Sequence, residues 1–204
     1  MGICETNQVQ VSGRILCPPA LSHAIYGEEF YAAQLEVRRL SGNADILPVL
    51  ISGRKMQDLD LKPGSEVLLK GQMRSYNKII EGASRLELKL FVREAEEYAG
   101  GEDLNQIALV GYLCKPPVYR VTPFGREIAD LLLAVNRSYN KSDYIPTIVW
   151  GKNARLASHM CVGQKLRIEG RIQSRQYEKQ LPDGACVQKT AYEVSACAMC
   201  PELP

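Results

Sequence analysis

The sequence predicts an all-β protein made of two tandem copies of one small barrel. The first half of the chain aligns with the second half at an offset of 98 residues, with one insertion, which indicates an internal repeat. Within each half, apolar and polar side chains alternate with the period of β-strands. A chain of 204 residues has room for two domains of about 100 residues each.

The repeat aligns residues that control backbone geometry. Gly13 falls on Gly111, and after one inserted residue Gly71 falls on Gly170. Because glycine is used where a chain turns tightly or strands approach closely, these matches indicate a duplicated domain. We expect the first domain at residues 1–98, a short flexible linker at 99–103 and the second domain at 104–204.

In the second copy, the residue patterns predict five strands and one short helix. The strands are expected at residues 106–114, 127–137, 144–151, 165–175 and 189–198, with the helix at 152–160 and a hairpin turn at 182–184. Segment 127–137 has a very apolar centre, and segment 144–151 places Tyr, Pro, Ile and Trp on one face. Five strands with a helix between the third and fourth is the order of an OB-fold, a small Greek-key barrel. The expected fold is therefore two tandem five-stranded OB-fold barrels.

Three spaced motifs in the second copy carry a resemblance to a known family. They are Leu-Ala-Val-Asn-Arg-Ser-Tyr at 133–139, Ile-Val-Trp-Gly-Lys-Asn-Ala at 148–154 and Gly-Gln-Lys-Leu-Arg-Ile-Glu-Gly-Arg at 163–171. In this order they resemble the bacterial single-stranded DNA-binding protein family over nearly all of residues 105–196, with a weaker echo at 7–95. The resemblance implies sequence-tolerant binding of single-stranded DNA in replication, recombination or repair.

The same resemblance implies that bases stack on four aromatic side chains. These are Tyr139, Tyr144, Trp150 and Tyr177. Every base has a π-face, so a flat side chain binds any sequence, and each stack contributes roughly 1–3 kcal/mol. Basic side chains spaced along the same segments are candidate phosphate contacts: Arg120, Arg126, Arg137, Lys141, Lys152, Arg155, Arg171, Arg175 and Lys179. The alternative interpretation is that aromatic residues at strand ends fill the core.

The first copy lacks most of this aromatic set. At the offset of 98, Ser41, Ile46 and Ser52 replace Tyr139, Tyr144 and Trp150. We therefore predict an asymmetric protein, whose first domain is a scaffold, an oligomerisation surface or a weak backbone contact. Secondary candidates for binding are Tyr112, Arg14, Arg38, Arg54, Arg74 and Tyr76. The basic residues of the first copy equally fit a solvated face balanced by nearby carboxylates.

Charge and motifs point away from catalysis. The net charge is only +2, and the basic excess lies after residue 100, where 13 Lys and Arg face 10 Asp and Glu. The two histidines, His23 and His159, do not correspond under the repeat, and no phosphate-binding, dinucleotide-binding, zinc-protease or hydrolase motif occurs. We expect neither an enzyme nor a cofactor.

The cysteines and the chain ends suggest a cytoplasmic protein without metal. Seven cysteines form no regular framework, which is typical of a reducing compartment. Cys197 and Cys200 form a lone CxxC pair, expected to be reduced thiols in a frayed tail because zinc needs four ligands. We expect no secretory signal and no membrane span. The last residues hold no acidic run, which puts recruitment of replication proteins by that route in doubt.

Two other functions stay open at this stage. OB-folds also serve as protein-interaction modules, as a component of a primosome-like assembly would, and they bind RNA as well as DNA. Because members of the resembled family generally work with four OB domains, two per chain imply a homodimer.

Overall fold

The computed structural model describes residues 6–39, 41–56, 61–80, 83–100, 103–180, 184 and 186–202. In these residues the chain forms twelve strands and two short helices, in two halves with the same element order. The first half contains β1 (Asn7–Ile15), β2 (Ala20–Ile25), β3 (Glu28–Arg38), β4 (Ala44–Ser52), α1 (Gly53–Met56), β5 (Glu66–Ile80) and β6 (Ala83–Glu97). The second half contains β7 (Asn105–Leu113), β8 (Val118–Val121), β9 (Glu127–Arg137), β10 (Lys141–Trp150), α2 (Lys152–Ser158), β11 (Lys165–Gln180) and β12 (Cys186–Pro201).

Each half closes into a barrel, which confirms the predicted all-β class. In the first half, β1 pairs with both β3 and β5, and the parallel pair β4–β6 completes the ring. The second half repeats these pairings with β7, β9, β11, β10 and β12. Inward side chains such as Leu35, Leu90, Leu133 and Val194 are almost fully buried, and removing such apolar area from water is the main driving force for folding. We refer to β1–β6 as the first barrel and to β7–β12 as the second barrel.

The sequence patterns missed one short strand in the second half and misplaced one chain end. All four residues of β8 are exposed, so this edge strand has no apolar alternation to reveal it. Strand β12 continues to Pro201, because Cys200 pairs with Arg167 of β11. The expectation of a frayed tail around Cys197 and Cys200 is therefore wrong. The predicted turn at 182–184 lies largely outside the described residues.

The aligned glycines Gly71 and Gly170 lie at matching β-bulges. The register shifts between Lys70 and Gly71 in β5 and between Glu169 and Gly170 in β11. A Cβ atom at either glycine would collide with a backbone oxygen of the neighbouring strand. The bulge bends each long hairpin out of its barrel, so both copies require glycine at this point.

The two barrels pair through their first strands. Strand β1 lies antiparallel to β7, and Val9 faces Ile107, its own equivalent at the offset of 98. This register is that of a two-fold axis between like elements, as in a symmetric dimer. Between the barrels, β6 ends at Glu97 and β7 begins at Asn105. The predicted linker at 99–103 stays a prediction, since residues 101 and 102 fall outside the described residues.

A reciprocal pair of buried aspartates fastens each barrel to the hairpin of the other. Asp45 accepts hydrogen bonds from the Ser174 backbone N–H at 2.6 Å and from its Oγ at 2.7 Å. Asp143 accepts from the Ser75 backbone N–H at 2.8 Å. Burial alone raises the pKa of Asp45, yet the hydrogen bonds from Arg39 and Ser174 outweigh it and hold the pKa below its ordinary value. We call Asp45 with its partners and Asp143 with its partners the two locks.

Candidate nucleic-acid interface

Strand β10 presents two of the predicted rings on the outward side of the second barrel. Ile145 and Val149 point into the barrel and are buried. Because side chains alternate along a strand, Tyr144 and Trp150 point the other way, and they are 42% and 37% exposed. Six residues of extended chain separate them by roughly 20 Å. This spacing suits an extended polymer rather than a small ligand.

Trp150 lies in an open groove with basic walls. The groove has a volume of about 560 Å³, and it is lined by Asn105, Gln106, Arg126, Trp150, Gly170, Arg171, Ser195, Ala196 and Cys197. The indole Nε1 donates a hydrogen bond to Ser195 Oγ at 3.1 Å. This bond at the ring edge fixes the orientation of the indole. We call this the tryptophan groove. It combines a positioned aromatic ring with two guanidinium groups, Arg126 and Arg171.

Tyr177 lies beside a second groove, which separates the two barrels. This groove has a volume of about 460 Å³ and is lined by Pro48, Leu86, Glu87, Leu88, Lys89, Pro146, Tyr177, Thr190, Ala191 and Tyr192. The ring of Tyr177 is 38% exposed, and the Arg175 guanidinium lies 5.8 Å from its centroid. A cation at that distance is attracted by the ring face. Tyr177 therefore lies on the part of β11 that extends from the second barrel to the first barrel.

Tyr139 projects from the turn between β9 and β10. Its ring is 94% exposed. Tyr139 and Asn140 both have positive φ, at 64° and 52°, the backbone form of tight hairpin turns. None of the four predicted rings is therefore part of the core, and the interpretation of them as core filling is wrong.

The predicted basic residues divide into paired and unpaired side chains. Arg120 pairs with Asp130 at 2.9 Å, Arg137 with Asp143 at 3.6 Å, Arg155 with Glu127 at 3.4 Å, and Arg175 with Glu193 at 3.9 Å. Among the described residues, Arg126, Lys141, Lys152 and Arg171 form no ion pair, and all four are exposed. The side chain of Lys179 lies outside the described residues. Free charge therefore concentrates around the tryptophan groove and the ends of β10.

In the first barrel, most secondary candidates are occupied by carboxylates. Arg14 and Arg38 share Glu66 at 3.0 and 3.6 Å, and Arg54 lies 3.8 Å from Glu28. Tyr76 and Arg74 are half-buried on β5. In the second barrel, Tyr112 is 40% exposed at the end of β7. Burial raises the pKa of Tyr76.

Sequence reasoning missed several exposed or half-exposed rings. Phe124 is 91% exposed at the tip of the β8–β9 turn, and its equivalent at the offset of 98, Tyr26, is fully exposed. Each is followed by a glycine with positive φ, Gly125 or Gly27. An aromatic residue before a turn glycine in both copies was a signal available in the sequence. In the described residues no helix is long or apolar enough to cross a membrane, and no group of His, Cys, Asp and Glu could hold a metal ion.

Comparison with known proteins matches the second half of the chain to one family. The profile of the single-strand binding protein family matches residues 104–200. A single-stranded DNA-binding protein of Clostridium tetani is 40% identical over 82 residues, which are 37% of this chain and 57% of that protein. Single-stranded DNA-binding protein 1 of Staphylococcus aureus is 38% identical over 84 residues, or 38% of this chain and 50% of that protein. The chain thus spans about half the length of these relatives.

A solved structure is similar over almost the whole chain. The wild-type single-stranded DNA binding protein from Thermus aquaticus superposes with a TM-score of 0.78, over 97% of this chain and 93% of that one, at 21% sequence identity. At this identity the likeness shows the shared fold. It extends the comparison to the first barrel, which lies outside the matched family profile.

Proposed function

We propose that this chain, whose residues 104–200 match the single-strand binding protein family, binds single-stranded DNA without sequence preference and without changing it chemically. The observation that carries the proposal is the tryptophan groove, where Trp150 lies with Arg126 and Arg171. An aromatic ring stacks on any base, and unpaired guanidinium groups neutralise phosphates. We take single-stranded DNA as the ligand because the similar proteins are named single-stranded DNA-binding proteins.

The four exposed rings support an extended path for the strand. Tyr144 and Trp150 follow one another on the outward side of β10, Tyr139 lies at the turn before β10, and Tyr177 borders the groove between the barrels. We infer that one DNA strand contacts these rings in succession. Arg126, Arg171, Lys141 and Lys152 contribute phosphate contacts, since these exposed charges have no carboxylate partner among the described residues.

Fluorescence of the single tryptophan tests the proposal directly. Trp150 is the only tryptophan in the chain, so stacking of a thymine on it quenches the emission without interference. We expect oligo-dT to quench the emission at low salt, with an affinity that falls as salt is raised. Absence of quenching at low salt, with no change in the anisotropy of a labelled oligo-dT, contradicts DNA binding and favours a protein-assembly module.

The same titration with oligo-rU separates DNA from RNA. Because RNA recognition uses the 2′-hydroxyl, a protein that selects RNA binds oligo-rU more tightly than oligo-dT of equal length. We expect the reverse order or equal affinities. A role in replication, recombination or repair belongs to the same proposal and follows only if oligo-dT binds.

We further infer a homodimer, so that four barrels act together. Two barrels of this type associate within one chain through the β1–β7 pairing. Members of the resembled family generally work with four such barrels, which two chains would provide. Sedimentation equilibrium should give twice the mass of the chain. The mass of a single chain contradicts the inference.

A further inference from the structure

The first barrel has a row of aromatic side chains on its outward side. His23 of β2 stacks on Phe30 of β3, with ring centroids 5.1 Å apart and an interplanar angle of 15°. Phe30 lies 6.3 Å from Phe91 of β6. All three rings are only partly buried. Phe91 points away from the core, since its neighbours along β6, Leu90 and Val92, are buried. Phe30 lies on the side of β3 opposite to the buried Ala33 and Leu35.

These rings flank the position that corresponds to the tryptophan groove. Ser52 takes the place of Trp150 at the offset of 98, and Phe30 lies directly opposite Ser52 in the β3–β4 register. Phe91 corresponds to Ser195, because Phe91 pairs with Leu50 as Ser195 pairs with Ile148. The aromatic surface missing at Ser52 is therefore present on the strands at either side of it.

A basic group accompanies the rings. The Arg74 guanidinium lies 4.0 Å from the centroid of Phe91. It forms no ion pair among the described residues, and its buried Nε has no hydrogen-bond partner there. Its terminal nitrogen donates only to Gln72, at 3.2 Å. A cation over a ring, with donors to spare, is the combination that stacked nucleotides use in single-strand binding.

We propose that the first barrel has its own stacking site for an unpaired base of single-stranded DNA, formed by Phe30 and Phe91 with Arg74 beside them. This inference rests on the proposed function and differs from the asymmetric protein predicted from the sequence, because the first barrel also binds a base, through rings on other strands. Its basic residues Arg14, Arg38 and Arg54 are paired with carboxylates. The site therefore gains its affinity from stacking more than from charge, and it depends weakly on salt.

The double variant Phe30→Leu/Phe91→Leu tests this site. Leucine keeps an apolar side chain at each position and removes only the flat face, a change that protein structures usually tolerate. Two labelled oligo-dT probes are compared by anisotropy, one of about 8 nucleotides, which a single barrel accommodates, and one of about 30, which covers both barrels. We expect the affinity for the long probe to fall on the order of tenfold, with an unchanged salt dependence and unchanged quenching of Trp150 by the short probe.

Controls separate the possible failures. Leu21→Ala removes an exposed apolar side chain of β2 outside the ring row and should leave the affinity for both probes unchanged. Urea unfolding of the leucine variant should match that of the parent chain; if unfolding shifts, the variant Phe30→Tyr/Phe91→Tyr, which keeps both ring faces, must retain the affinity for the long probe. An oligo-dT carrying 5-iodouracil should also crosslink to peptides that contain Phe30 or Phe91.

The outcomes for this site and for the proposed function are distinct. If the short probe neither quenches Trp150 nor changes its own anisotropy with the parent chain, the proposed function itself is wrong. If the short probe quenches Trp150 but the leucine variant binds the long probe as the parent does, and no crosslink forms in the first barrel, the second site is overturned.

Discussion

Strand β10 places Trp150 at the position where β4 places Ser52. On the strands beside this position the difference is reversed, because the first barrel has the aromatic residues there and the second barrel does not. In the second barrel, Ile128 and Ser195 stand beside the tryptophan; in the first, Phe30 and Phe91 stand beside the serine. The inward residues and the bulge glycines match between the copies. A duplicated scaffold can exchange its outward residues in this way because they contribute little to the core.

The charges on the two outward sides have diverged as well. Arg126, in the tryptophan groove, corresponds to Glu28 in the first barrel at the offset of 98, and Glu28 lies near Arg54. Arg126 forms no ion pair among the described residues, whereas Arg14 and Arg38 share Glu66. A phosphate therefore meets two guanidinium groups beside Trp150 that are unpaired among the described residues, whereas Arg14, Arg38 and Arg54 of the first barrel are already paired with carboxylates. This difference predicts stronger, salt-dependent binding in the second barrel.

The largest expected effect is the loss of Trp150. Trp150→Ala should reduce the affinity for oligo-dT by about 5- to 150-fold, because one stacked base contributes roughly 1–3 kcal/mol. Tyr76→Ala in the first barrel should cost much less, since Tyr76 is half-buried and aside from the ring row. Anisotropy of a labelled oligonucleotide measures both variants. Equal losses would contradict the difference between the two barrels.

The two locks should also differ in strength. Asp45 accepts hydrogen bonds from two nitrogens of Arg39 as well as from Ser174, whereas Asp143 accepts from Ser75 but lies 3.6 Å from Arg137. Asp45→Asn should lower the free energy of unfolding by about 1–3 kcal/mol, because buried groups lose charged hydrogen bonds. Asp143→Asn should cost less. Urea unfolding at neutral pH measures both, and a larger loss for Asp143→Asn would reverse the ranking.

Sequence alone predicted the scaffold better than the binding surface. The repeat at an offset of 98 and the alternation around Trp150 can be read along the chain without knowledge of strand pairing, and they are enough to predict two barrels and the outward side of β10. The ring row of the first barrel could not be predicted, because Phe30 and Phe91 are 61 positions apart in the chain and meet only through the β3–β4–β6 pairing. The ion pairs that neutralise Arg14 and Arg38 depend in the same way on strand register.

Salt dependence sharpens the charge comparison at a smaller scale. Arg126→Gln/Arg171→Gln should reduce the slope of log affinity against log salt concentration by about 1.4, since each phosphate contact on single-stranded DNA contributes about 0.7. The matched control is Arg14→Gln/Arg38→Gln, whose parent side chains already pair with Glu66, and it should change the slope much less. Similar changes in both variants would show that the paired arginines also contact phosphate.

The smallest effect expected is the pH dependence of the Asp45 lock. The pKa of Asp45 in the folded chain lies below its ordinary value of 3.8, so at acid pH the unfolded chain takes up the proton first. The stabilisation is therefore complete above the ordinary pKa and is lost as the pH falls through the lower pKa of the folded state. The difference in urea midpoint between the parent and Asp45→Asn should be full at about pH 7 and should shrink below about pH 3. Asp103→Asn, at an exposed position, controls for general charge effects. A difference that stays constant down to acid pH would mean that the Asp45 contact stabilises through its shape alone and not through its charge.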